Sequence, residues 1–158
     1  MQHEPKTKRC SLYILPDDSV IIRGFFHNSQ SSFMYSDVRA RISKELIPVL
    51  LGELALTIAD TTKFIDVQEW LKDEDSYIKD FLTFAGYKNY RRLEKDTACV
   101  IIELENNVIT ITPTEYDRRD GGFSHLVNKK VTCPPDAESI YEHLIPLLKR
   151  SNYEHLAS

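Results

Sequence analysis

Residues 97–113 read TACVIIELENNVITITP. Thr97 to Leu104 and Asn107 to Pro113 are expected as two strands joined through Glu105, Asn106 and Asn107, because asparagine accepts the left-handed backbone that tight hairpin turns demand. The first strand is apolar on both faces, Cys99 and Ile101 against Val100, Ile102 and Leu104, so it belongs in the centre of a sheet. The second alternates Ile109 and Ile111 with Val108, Thr110 and Thr112, which predicts one dry face and one wetter one, with Pro113 ending the strand.

Upstream, Cys10 to Leu15 and Val20 to Phe26 are rich in Ile, Val, Tyr and Phe and are separated by Pro16, Asp17, Asp18 and Ser19, which predicts another hairpin. His27 to Asp37 is polar and serine-rich without clear periodicity, and reads as a loop. From Ser43, residues Leu46, Val49, Leu50, Leu54 and Ile58 recur at helical spacing, with Pro48 tolerable in the first turn. Val67, Trp70 and Leu71, then Ile78, Phe81, Leu82 and Ala85, form two further stripes that Glu74 interrupts, so two consecutive helices are expected. Asp73, Glu74 and Asp75 then meet the free N–H groups at the entrance of the second, and Gly86 caps its end.

Downstream, Asp117 to Gly122 is a charged loop closed by Gly121-Gly122. Phe123 to Leu126 and Val131 to Cys133 are candidate short strands, and Asp136 can cap a last helix buried through Ile140, Leu144, Leu147 and Leu148. The sum is an α+β single domain, an antiparallel-rich β-sheet with helices packed mainly on one face. Its expected limits are residues 10–151, with a flexible segment over 1–9 and a tail over 152–158.

A chain of 158 residues with 42% hydrophobic and 28% charged side chains is long and apolar enough for one ordinary core. The polar start, Met1 to Arg9, does not read as a secretory signal, and Leu46 to Ile58, interrupted by Pro48, Gly52 and Glu53, falls short of the roughly 20 apolar residues a membrane span needs. A cytoplasmic location is expected. Cys10, Cys99 and Cys133 are far apart and odd in number, which suits reduced thiols, Cys99 and Cys133 packing as small hydrophobes. Residues 42–105 hold 13 acidic and 8 basic side chains, a balance of −5, whereas residues 1–41 hold 4 and 6, a balance of +2. An acidic patch in mid-chain repels nucleic acid and attracts a basic protein.

Several stretches of the second half, in this order, resemble a known family: Gly86-Tyr87-Lys88-Asn89-Tyr90, then VITITPT from Val108 to Thr114, Gly121-Gly122-Phe123, and Pro135-Asp136-Ala137 leading to a helix that ends Leu148-Lys149-Arg150-Ser151. Together they resemble the CdiI family of contact-dependent growth inhibition immunity proteins. The resemblance runs from about Phe81 to Ser151; Pro146 departs from it by interrupting a helix that in the family tends to be rich in alanine and leucine. None of these residues is catalytic in type: Gly86 caps, Tyr87 and Tyr90 pack, and the Gly-Gly pair turns the chain.

The resemblance implies a cytosolic binder that neutralises the C-terminal toxin domain of a partner CdiA effector, often a nuclease, without cofactor or metal and without membrane or nucleic-acid contact of its own. Electrostatic attraction to a basic cleft, or addition of a toxin strand to a sheet edge, are the two physical routes. The expected toxin-binding residues are Glu103, Glu105, Tyr116, Asp117 and Asp120, Tyr116 serving as an aromatic anchor. Two rival readings exist. A hydrolase would use His27 and His125 with Glu103 or Asp117 to orient them, but no HxxxH, nucleophile elbow or phosphate loop accompanies them. A nucleic-acid module would stack bases on Tyr13, Phe25 and Phe26, against which the acidity argues; Arg91-Arg92 and Arg118-Arg119 read as solvated or salt-bridged pairs.

Overall fold

The computed structural model describes residues 4–29 and 32–156. Its strands are β1 (Thr7–Ile14), β2 (Val20–His27), β3 (Phe33–Ile42), β4 (Lys63–Phe64), β5 (Ala98–Glu105), β6 (Val108–Tyr116), β7 (Phe123–His125) and β8 (Val131–Cys133). Its α-helices are α1 (Ile47–Asp60), α2 (Val67–Lys72), α3 (Glu74–Ala85), α4 (Tyr90–Asp96) and α5 (Ala137–Leu144). One sheet runs β3-β2-β1-β5-β6-β7, with β8 also on β6 and β4 added in parallel to the end of β2. The fold is the expected antiparallel-rich α+β domain.

β5 lies at its centre, antiparallel to β1 on one side and to β6 on the other. Asn106 (φ 52°) and Asn107 (φ 61°) both adopt the left-handed conformation, so the hairpin is a two-residue turn closed by the Glu105–Val108 pair. Alternation then sends the two faces of β5 into two cores. Ala98, Val100 and Ile102 join Cys10, Leu12, Ile14, Val20, Ile22, Ile109 and Ile111 beneath α1 and α5 in the larger one. Cys99 and Ile101 join Tyr13, Leu15 and Ile21 in a smaller one closed by Phe81, Leu82 and Ala85 of α3 and Leu93 of α4. The three cysteines are free and buried, and burial pushes the Cys99 thiol up to about 12.

Four local expectations change. His27 to Asp37 is not a loop throughout: Phe33–Ile42 is a strand paired to β2. Its register slips between Arg23 and Phe25, where four residue steps on β3 oppose two on β2, and this bulge breaks the period that marks a strand. Gly24 sits at the slip because a Cβ there would lie 3.0 Å from Ser36 Oγ. Pro113 does not end β6 but lies within it, opposite Val100. Counting back from the two-residue turn, its nitrogen faces away from β5 and toward the gap between β8 and β7, so no ladder bond is lost. Residues 90–96, which carry no long apolar stripe, form α4, whose cap is Asn89 Oδ1 accepting the Arg92 N–H at 2.9 Å. In the last helix the α form stops at Leu144, and Ile145–Leu148 continue as a 3₁₀ turn, since Pro146 has no N–H to offer.

In α1 the apolar stripe is rotated. Of the expected stripe, Leu46 and Val49 are 48% and 71% exposed, Leu50 and Leu54 are partly buried against the core and Ile58 is buried, while Ile47, Leu51, Ala55 and Ala59 are buried beside it. Hydrophobicity alone favours the large side chains, but the sheet and α5 approach along the small ones. A Cβ on Gly52 would stand 2.0 Å from the Ala137 carbonyl oxygen at the start of α5. Three other signals hold: Pro48 sits in the first turn, Gly86 ends α3 with φ 83°, and Asp136 accepts the Ser139 N–H at 2.8 Å; Asp73 stands at the N-cap position of α3, with Glu74 and Asp75 in its first turn, but makes no side-chain cap bond there. No helix among the described residues is long and apolar enough to cross a membrane.

Ordered packing runs past the limits expected at 10 and 151. Thr7–Arg9 pair with Glu103–Glu105, and Tyr153 is buried with its hydroxyl donating to the Leu147 carbonyl at 2.8 Å. Residues 1–3 of the segment expected to be flexible, and 157–158 of the tail, lie outside the described residues.

Gly52→Ala is expected to lower unfolding stability by about 2–3 kcal/mol in urea titration, the cost of forcing a methyl into a packed contact. Val49→Asp should change it by no more than about 0.5 kcal/mol. The reverse order would place the buried stripe of α1 on the Val49 side.

Candidate functional site

The second face of the sheet is only partly roofed. α3 and α4 cover its Tyr13, Leu15, Ile21, Cys99 and Ile101 end, and the same alternation carries Arg9, Glu103 and Thr110 onto the other end, where all three are half-buried. Arg9 faces Glu103 directly across the β1–β5 ladder, and its Nη2 and Nε donate to one carboxylate oxygen, Oε2, at 2.9 and 3.2 Å. The guanidinium also lies 3.9 Å from the centre of the Phe33 ring, with Phe25 at 5.6 Å. Side-chain exposures of 19% and 25% make this pair stronger than a surface bridge yet still reachable by a partner. His125 on β7 feels the same groups: burial and Arg9 hold its imidazole below the ordinary value, while Glu103 pulls the other way.

The five residues expected to bind do not form one cluster. Glu103 and Glu105 sit near the β5–β6 turn, the latter accepting a hydrogen bond from the Thr7 hydroxyl. Tyr116, Asp117 and Asp120 lie at and beyond the other end of β6, eight strand steps from Val108 and therefore roughly 27 Å away. Closeness in sequence along an extended strand is distance in space.

Nor are these groups equally available. Tyr116 is 7% exposed, packed between Phe123 and His155, so it cannot project as an anchor. It forms instead part of the wall of a 650 Å³ depression also lined by Asp117, Tyr153 and His155. Asp117 Oδ1 accepts the N–H groups of Arg119 and Asp120 at 2.9 and 3.0 Å, and Asp117 and Gly122 close the loop backbone at 2.9 Å, which makes that carboxylate a loop cap. Asp120 is exposed.

The groups that rival readings need are placed as follows. Tyr13, Phe25 and Phe26 are buried, which removes the base-stacking platform. His27 donates from Nδ1 to the Asn28 carbonyl at 2.6 Å and is wedged edge-on against Phe33 and Phe64. Among the described residues, no group of His, Cys, Asp and Glu is arranged to hold a metal ion. Arg9 and Phe33, central to the open end of the face, were not among the expected contacts; only the cross-strand register identifies them, and nothing in the local pattern carries it.

The His125 titration offers a direct check on this geometry. By NMR, Glu103→Gln is expected to move its midpoint further down and Arg9→Leu to move it up; unchanged midpoints would separate His125 from the pair.

Comparison with known proteins follows this architecture. The model of the family CdiI, CDI immunity protein, matches residues 51–140, more than half of the chain. No curated protein matches. The fold is similar to that of a solved protein of unknown function, NMB0488 from Neisseria meningitidis, with a TM-score of 0.73, 14% identity and coverage of 97% of this chain and 99% of that one. It is also similar to a chain of the CdiA-CT/CdiI toxin and immunity complex from Yersinia pseudotuberculosis, with a TM-score of 0.69, 18% identity and coverage of 96% and 99%. The family match spans α1 from Leu51 onward, both hairpin strands β5 and β6 and the start of α5, and on it the chain belongs to the CdiI family of CDI immunity proteins.

Proposed function

We propose that this chain acts in the cytosol as a stoichiometric inhibitor of the C-terminal toxin domain of a partner CdiA effector, a nuclease, and carries out no chemistry of its own. The observation that carries the reading, beside the family, is the unroofed end of the second sheet face. There a half-buried Arg9–Glu103 pair, the Phe33 ring and the carboxylate of Glu105 offer apolar area and charge together. Interfaces draw most of their affinity from a few such desolvated aromatic and charged groups, and the surrounding contacts exclude water.

Charge supports the same partner. α2 and α3 carry Glu69, Glu74, Asp75 and Asp80, with Asp66 and Asp73 at their caps, and border β3, where Trp70 Nε1 donates to the Tyr35 carbonyl at 2.9 Å. A nuclease needs a basic cleft to hold its phosphates, so an acidic inhibitor is drawn to it and competes with nucleic acid for it. Strand addition has a place as well: β3, ten residues long, is the terminal strand of the sheet order.

Co-expression with the toxin domain of the CdiA effector encoded beside this chain tests the proposal. The chain should restore growth and form a one-to-one complex; the pair Glu103→Lys and Glu105→Lys should weaken that complex at least roughly tenfold, whereas Asp120→Lys should change it about twofold or less. Absence of both rescue and complex at low salt would overturn the assignment. A complex insensitive to the double reversal would move the contact elsewhere.

A further inference from the structure

Away from that surface, three cations and an imidazole from separate parts of the chain converge. Arg91 and Lys95 lie one turn apart on α4, Arg118 is on the β6–β7 loop, and His155 comes from the last 3₁₀ turn; with Tyr116 they line a lobe of 320 Å³. No carboxylate lines this lobe. Among the described residues Arg91, Lys95 and Arg118 have no ion-pair partner, unlike Arg92, whose Nε donates to Asp96 at 3.2 Å. In a chain of net charge −4, three unpaired cations gathered in one concavity raise the positive potential there and favour an anion among them.

The lobe is also held in shape. Leu93 pins α4 in the core, and the Glu94 carboxylate of the same helix lies against Gly121 and Gly122 of the loop that carries Arg118. His155 donates from Nε2 to the Thr97 carbonyl at 2.9 Å and packs on Tyr116. Past Tyr116, Arg118 and His155, which both share, the lobe continues into the 650 Å³ depression, where Glu115, Asp117, Glu154 and Ser124 offer oxygen acceptors beside Arg119 and Lys129. One half therefore suits phosphate oxygens and the other suits sugar hydroxyls.

We propose that this two-part cleft binds a nucleoside diphosphate, its phosphates against Arg91, Lys95 and Arg118 and its sugar toward Glu115 and Ser124. The site is distinct from the open end of the sheet that we propose faces the toxin, and its lining shares no residue with it.

Calorimetric titration of the full chain with ADP, AMP, adenosine and pyrophosphate tests it. ADP should bind more tightly than AMP and than pyrophosphate, adenosine should give no signal, and Arg118→Ala or Lys95→Ala should each weaken ADP roughly tenfold, with Arg92→Ala unchanged. All three side chains are exposed, and thermal melts verify that the variants fold. Undetectable ADP binding at millimolar concentration would overturn the proposal, as would binding indifferent to Arg118 and Lys95. Pyrophosphate binding as tightly as ADP would remove the nucleoside. A short RNA that outcompetes ADP would make the site a polymer contact, and toxin binding lost in Arg118→Ala without any ADP binding would make it a protein contact; both results contradict the proposal.

Discussion

A strand that is apolar on both faces has to be covered on both, and β5 imposes that requirement on the whole molecule. Val100 and Ile102 call for the α1–α5 layer, and Cys99 and Ile101 call for α3 and α4. The requirement lapses after Ile102, where Glu103 and Glu105 replace apolar residues on the second face. The helical roof ends with it. What remains is a sheet surface that is half-buried without being closed, and the ion pair of Glu103 with Arg9 is how the strands themselves fill it.

The second face also holds the least expected group of the core. Arg23 is fully buried, its guanidinium 3.6 Å from the Tyr35 ring centre and 3.7 Å from that of Phe81, with Nη1 donating to the Tyr90 hydroxyl at 2.5 Å. Among the described residues no carboxylate pairs with it, and Nε and Nη2 find no hydrogen-bond partner. A delocalised, weakly hydrated cation tolerates two aromatic faces in a way an ammonium does not. The clamp ties β2, β3, α3 and α4 together at the point where the register of β3 slips, so the covered and open ends of the face meet at a rigid boundary.

Much of this was legible in the residues, because the signals were local. The paired asparagines, the two-faced apolar run, Gly86 and Asp136 each act within a few positions of themselves, and each was read correctly. The misreadings occur where a distant neighbour decides. β3 is disguised by a bulge that lies opposite Gly24 on another strand, and the face that α1 buries includes Gly52, which Ala137 approaches closely. For the site the contrast is sharper. Glu103 and Glu105 could be singled out as charges on a central hairpin, but Arg9 and Phe33 become their neighbours only through long-range register, and Tyr116, conspicuous in the sequence, is spent on packing.

Family membership rests on the match over residues 51–140; where the partner docks rests on the unroofed end of the sheet. Hydrogen exchange of the chain, free and saturated with its toxin domain, tests that claim most directly. The account predicts slowed exchange at Thr7–Arg9, Glu103–Val108 and the start of β3, with α1 and α5 unchanged. Protection confined to α1 and α5, or none at the β5–β6 turn, would contradict it.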